Sequence, residues 1–198
     1  MSDPIRINGF TSEVLGWKAW LPTIDLDSAT PEQVAVLEES HPQAKVSDYY
    51  LTLAHDPEIL RQRSLAFNAI MYAPGGLSRA ERELASTVVS CINRCVYCAS
   101  VHAQRFEQLA KRNDVIAQIF ADPATAGTTD REKAIVQFAI DLTLEPGALG
   151  ASNIQPLRDQ GLNDGEVLDL IHAISIFAWA NRLMLNLGEP VFTGQSSV

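Results

Sequence analysis

Basic residues are scarce in this 198-residue chain: 15 Lys and Arg face 24 Asp and Glu, giving a formal net charge of −9 and a pI near 4.8. An acidic surface repels phosphate backbones, which excludes nucleic acid as an expected partner. Long apolar runs are missing too. The most apolar stretch, Val167 to Ala180, is interrupted by Asp169 and His172 and reads as a buried helix, so no membrane span is expected. The opening MSDPIRINGF lacks the basic-then-apolar order of a signal sequence, and a cytoplasmic location is the expectation. There, the 3 cysteines would stay reduced unless they do redox or metal chemistry. Strand signals are nearly absent: no alternating run of useful length exists, and Asn8-Gly9 has no strand-like flanks.

What the chain does have is helix punctuation. Thr30-Pro31-Glu32-Gln33 supplies an N-cap, a proline at the first helical position and a glutamine at the third. Asp56-Pro57 opens a second helix that ends before Pro74-Gly75-Gly76. Ser78-Arg79-Ala80-Glu81 is a capping box, and Thr129 to Glu132 and Asn163 to Glu166 repeat the device, the last helix being closed by Gly188 and Pro190. With 46% apolar and 20% charged residues, the expected fold is all-α with a real core. Residues 1–30 read as an extended N-terminal arm and 31–198 as a single helical domain. Trp17, Trp20 and Leu21 on the arm need burial, on their own domain or on a neighbouring subunit.

All three cysteines fall in SCINRCVYCASVHAQ, Ser90 to Gln104. Read from Cys91 the spacing is C-x3-C-x2-C, as in radical enzymes with an iron–sulfur cluster. That cluster needs an irregular loop on a β/α barrel, and no strands are on offer. Zinc through Cys91, Cys95, Cys98 and His102 would draw four ligands from one short stretch, whereas structural zinc usually takes pairs from two elements. Neither metal is expected. Read from Cys95 the stretch is a dithiol with a histidine one turn on. Cys95, Cys98 and His102 share a helix face, and a helix beginning just after Asn93-Arg94 places both thiols in its first turn, where the dipole favours a thiolate. Asn93 is the expected left-handed residue of that break. His102 could move the Cys98 proton. Glu83 could orient His102 only if the chain reverses, because a straight helix of 12 residues would hold it about 18 Å from Cys95.

Glu83, Cys95, Cys98 and His102 together resemble the E-x11-C-x2-C-x3-H signature of the alkylhydroperoxidase D-like, or carboxymuconolactone decarboxylase, superfamily. LSRAERELASTVVSCINRCVYCASVHAQ is similar to its central helix pair, and FAWANRLMLNLGEP to the tail of its peroxidase-related branch; the likeness runs from about Trp17 to Pro190. The resemblance implies an all-helical homo-oligomer, a trimer or a hexamer, that reduces a hydroperoxide in an antioxidant role. It implies Cys98 as the peroxidatic thiolate, Cys95 as the resolving thiol in a redox-active disulfide, and His102 with Glu83 as the relay. The implied reductant is an external dithiol or protein, with no further cofactor. Family peroxidases can carry a histidine where Tyr97 stands here, so Tyr97 either thins the relay or packs.

Other classes stay in view: a thiol–disulfide redox adaptor, a lyase like the decarboxylases (which work without C-x2-C), and a non-catalytic scaffold. Cys91 continues the apolar stripe of Leu84 and Val88 and reads as a buried small hydrophobe. His172 reads as a hydrogen-bonded core residue, while His41 and His55 flank turns and suggest nothing. Asn181-Arg182 could line the pocket or pair at a subunit interface, with the interface favoured.

Overall fold

The computed structural model describes residues 4–192. Nine α-helices run among them: α1 Pro31–Ser40, α2 Asp48–Leu53, α3 Pro57–Tyr72, α4 Arg79–Ile92, α5 Val96–Ala110, α6 Asp114–Ala121, α7 Asp130–Leu144, α8 Ala151–Asp159 and α9 Asp164–Leu187. The fold is all-α, and the caps explain its boundaries. Thr30, Ser78 and Asn163 each close a full capping box. At α7 the device is incomplete: Thr129 caps the Glu132 N–H, but the Glu132 carboxylate accepts from the Thr128 N–H and hydroxyl instead of closing the box.

The N-terminal segment departs from the expectation of no strands. Asn8 and Gly9, at φ 53° and 83°, form a tight hairpin between β1, Arg6–Ile7, and β2, Phe10–Thr11. Its flanks are too short to show alternation, and tertiary contacts hold it. The Asn8 amide donates to the Phe120 and Ala121 carbonyls at 3.1 and 2.9 Å, and Phe10 stacks on Phe120. Strand β3, Leu15–Ala19, then pairs antiparallel with β4, Gly188–Phe192, with Trp17 opposite Pro190. Gly188 lies under the Trp17 ring, where a Cβ would collide with the indole. Trp17 is thus packed on its own domain, its Nε1 donating to the Met184 carbonyl at 3.3 Å and its ring edge-on to Tyr49. Trp20 and Leu21 remain 57% and 52% exposed.

Helix α4 is the centre. Every residue from Arg82 to Cys91 is buried, and the helix packs on α5, α7 and α9. Its buried hydroxyls cost little because Ser86, Thr87 and Ser90 each donate to the carbonyl four residues earlier, at 2.7 to 2.9 Å. Arg82 fixes where the helix starts. It donates to the carbonyls of Ile70, Ala73 and Gly75 and to Asp169 on α9, whose Oδ2 also accepts the Leu77 N–H at 2.9 Å. Gly76, at φ 64°, passes so close to that carboxylate that a Cβ would land on it.

Helix α9 is long and apolar enough to cross a membrane by length and composition, with half of its most apolar window buried in the protein. His172 corrects the sequence reading: it is exposed, sharing the outer stripe of α9 with Leu168 and Trp179. A helix that buries one face at a period of 3.6 must turn the opposite positions outward, whatever their apolar neighbours in sequence.

Replacing Gly76 by alanine adds left-handed backbone strain and displaces Asp169 from two partners. We expect a loss of at least about 2 kcal/mol in chemical denaturation, and an unchanged midpoint would refute this account of the loop.

Candidate active site

The chain reverses between α4 and α5 within three residues. The Cys95 N–H bonds the Ser90 carbonyl at 2.8 Å and the Arg94 N–H the Cys91 carbonyl at 3.0 Å, the paired bonds of a Schellman ending. The left-handed residue is Arg94, at φ 63°, while Asn93, the expected one, stays right-handed at φ −77°. Asn93 is needed elsewhere: its amide donates to Asn181 Oδ1 at 3.1 Å. Cys95 completes one helix and is the N-cap of the next, so Cys98 is the third residue of α5.

The reversal brings together all four expected residues. Cys95 and Cys98 are reduced and buried, their sulfurs 2.9 Å apart. His102, one turn on, gives Nδ1 to Glu83 Oε2 at 2.5 Å, and the pair is buried, with Glu83 fully enclosed. A carboxylate at Nδ1 fixes the ring and leaves Nε2 as the nitrogen free to exchange a proton. Phe177 of α9 packs edge-on against the imidazole at 4.1 Å. The second Glu83 oxygen accepts no hydrogen bond and faces the Arg79 guanidinium at 3.6 Å.

The two thiols are electrically unlike. The hydrogen bond from the Cys98 thiol holds Cys95 below the usual thiol range against the cost of its burial, with help from the Cys98 backbone N–H and the Asn181 side chain. The same bond, together with burial, holds Cys98 well above it, and Asn181 and the Arg63 guanidinium pull the other way. The pair therefore keeps one proton while its first thiolate forms easily. Cys91 is pushed up by burial and packs in the core, as its stripe suggested.

Cys98 and His102 line a cavity of about 330 Å³, whereas Cys95 lies behind Cys98 and does not. Tyr49 and Tyr50 of α2, Arg63 and Phe67 of α3, Tyr97 of α5 and Met184 of α9 form much of the rest. Tyr97 is half-buried on the wall, and burial raises its hydroxyl pKa, so it stands there as a neutral phenol. Sequence reasoning missed His41 and Arg63 and favoured the wrong alternative for Asn181. His41, set aside as a turn residue, lines the cavity and stacks on Tyr50. Asn181 is fully buried against the thiols, its amide donating to Ser90 Oγ at 3.2 Å, which removes it from the interface role favoured for it. Arg63 gave no sign in sequence, since nothing in a helix pattern distinguishes an inward-facing arginine from a surface one. Among the described residues, no group of three or more His, Cys, Asp or Glu converges as a metal site.

Residues 57–141 match the carboxymuconolactone decarboxylase family. That match runs from the start of α3 into α7 and includes Glu83, Cys95, Cys98 and His102. An uncharacterized peroxidase-related protein from Silicibacter sp. TM1040 shares 26% identity and superposes with a TM-score of 0.72, covering 90% of this chain and 97% of that one. The alkylhydroperoxidase AhpD core protein from Ralstonia eutropha JMP134, also an uncharacterized peroxidase-related protein, shares 24% identity at a TM-score of 0.75, over 85% and 90% of the two chains. The debrominase Bmp8 shares the fold at 16% identity and a TM-score of 0.66, over 84% and 88%, and has also been solved with 2,3,4-tribromopyrrole. No curated protein matches the chain significantly.

Thiolate absorbance against pH should resolve one ionisation below the ordinary thiol range and one above it. Removing the donor in Cys98→Ala leaves Cys95 with burial largely uncompensated, so its ionisation should move upward. An unmoved or lowered Cys95 titration would show that the thiol–thiol bond is not what favours the anion. Separately, Arg94→Gly should raise stability by about 1 kcal/mol in denaturant, because glycine takes a left-handed turn without the side-chain penalty.

Proposed function

We propose that this protein is a thiol-dependent hydroperoxide reductase of the superfamily, with Cys95 and Cys98 as its redox-active dithiol. The observation that carries the reading is the cavity in which Cys98 and His102 meet, with a second thiol 2.9 Å behind the first and a buried carboxylate behind the histidine. Cys98 is the sulfur a small molecule reaches. Its proton passes to Cys95 along the short bond, or to His102, and the Cys98 thiolate attacks the outer peroxide oxygen. The O–O bond breaks, the alkoxide leaves with a proton as alcohol, and Cys98 becomes a sulfenic acid. Cys95 then attacks that sulfur, the hydroxyl leaves as water, and the disulfide forms before over-oxidation can occur. One hydroperoxide and two thiols thus give one alcohol, one water and one disulfide. An external dithiol, small or carried on a protein, restores the pair, with no metal or further cofactor. In this reading the enzyme is a homo-oligomer, a trimer or a hexamer, with Trp20, Leu21 and the outer stripe of α9 as apolar surface for the assembly, and it serves as an antioxidant in the cytoplasm.

The adaptor reading is less well served by this geometry. It gives no role to the cavity of about 330 Å³ onto which Cys98 and His102 open.

Titration of the reduced protein with cumene hydroperoxide, followed by thiol counting and mass mapping, should consume two thiols and give a Cys95–Cys98 bond. Cys98→Ser should abolish consumption, and Glu83→Gln should slow it at least about tenfold by loosening the histidine. Thiols that survive excess peroxide would overturn the proposal.

A further inference from the structure

Arg63 is a cation buried where nothing on the protein neutralises it. It is 8% exposed, and among the described residues no carboxylate lies within 4.0 Å of it. It donates to the Tyr50 hydroxyl at a long 3.3 Å and interacts more loosely with the Tyr49 hydroxyl oxygen, and the Tyr49, Tyr50 and Phe67 rings surround its guanidinium at 5.7, 5.4 and 4.6 Å. Ring faces offset part of the desolvation of a cation but satisfy few of its five N–H donors. The remaining donors are left to the cavity that Arg63 lines. Beside it, the Tyr49 hydroxyl is buried without a hydrogen-bond partner, and burial raises its pKa to about 12, so it remains a neutral donor. A second guanidinium, Arg105, lines the same space and donates to the Tyr72 hydroxyl at 2.8 Å. Among the described residues no aspartate or glutamate lines it, in a chain with 24 of them.

Buried charges are ordinarily paired, and an unpaired one is costly. One explanation confined to the protein is that Arg63 serves only the Cys98 thiolate, toward which it does pull. That leaves the Tyr49 donor and the acid-free wall without a purpose. A bound carboxylate uses all three: it accepts from the Arg63 fork and from Tyr49, and finds no competing acid. Phe67, Val101, Phe177 and Met184 give the cavity an apolar side, with the neutral polar Gln43 and Ser47 also on its wall, and about 330 Å³ suits a molecule of one substituted ring.

We infer that the substrate is a carboxylate with an aromatic or compact apolar body, its anionic end held by Arg63 and Tyr49 and its reacting end turned toward Cys98. This deepens the hydroperoxide reading by naming a substrate class, and it rests on Cys98 reacting with a small molecule in this cavity.

Two measurements separate the inference from the reading beneath it. In calorimetry on the reduced full chain, without peroxide, 4-isopropylbenzoate should bind at least about tenfold tighter than 4-isopropylbenzamide, of nearly the same shape but uncharged. Arg63→Met should abolish that preference, Arg63→Lys should keep part of it, and Tyr49→Phe should weaken it. In turnover, cumene hydroperoxide carrying a para-carboxylate should exceed its methyl ester in kcat/KM by a similar factor, chiefly through KM. Equal binding of acid and amide, or no binding of either, overturns the carboxylate site even if peroxide is consumed. Preferential binding of the acid by a protein that consumes no peroxide upholds the site and overturns the reductase. The comparison of acid with amide uses the unaltered protein, so it decides the matter even if the Arg63 variants fail to fold.

Discussion

Everything at this site hangs on one left-handed residue. Arg94 turns α4 back on itself, and the two hydrogen bonds that end α4 are the same ones that place Cys95 at the head of α5. Without the reversal, Glu83 would sit about 18 Å along a continuous helix from the thiols. With it, the carboxylate and the histidine that follows the dithiol face each other across the α4–α5 pair. The same turn gives the thiols the N-terminal end of α5, where unpaired N–H groups and the helix dipole favour negative charge. Position and electrostatics therefore share one cause. The strain of an arginine at positive φ is tolerable because α4 is buried along its whole middle and cannot shift to relieve it.

Burial of polar groups in this core follows a consistent rule. Hydroxyls on α4 are satisfied within the helix, Arg82 by three carbonyls and Asp169, and Glu83 by His102. Those groups hold elements in place. Arg82 Nε, one Glu107 oxygen and the second oxygen of Glu83 are left without hydrogen bonds away from the cavity wall, and on that wall so is the Tyr49 hydroxyl, beside the unpaired charge of Arg63. The two on the wall, Tyr49 and Arg63, are the ones whose unmet bonding a ligand in the cavity can meet.

The helices were legible because their signals are local. Capping boxes at Ser78 and Asn163 and prolines after Thr30 and Asp56 are read within four residues, and the structure begins helices at each. The four site residues were legible because E-x11-C-x2-C-x3-H also lies within one short stretch, though its meaning depended on a reversal whose left-handed residue is Arg94 and not Asn93. What escaped was set by distant contacts. The Asn8-Gly9 hairpin is held by carbonyls more than a hundred residues away. His172 faces outward because α9 buries its opposite side. Asn181 and Arg63 reach the thiols from helices far off in sequence, and no spacing rule links α3 or α9 to α5. His41 enters the cavity from the end of α1 by the same kind of long-range placement.

The division of work between the two sulfurs follows from charge and access pulling apart. Cys95 is the better anion, held by a donated thiol proton, a backbone N–H and Asn181, but it sits behind its partner. Cys98 faces the cavity yet carries the proton. A dithiol with both properties on one sulfur would expose a standing thiolate to any electrophile small enough to enter. Here the exposed sulfur becomes nucleophilic only when the proton crosses to Cys95 or is taken by His102. In the reaction we propose, a carboxylate bound at Arg63 weakens the pull of that guanidinium on Cys98, which leaves the larger share of the deprotonation to His102.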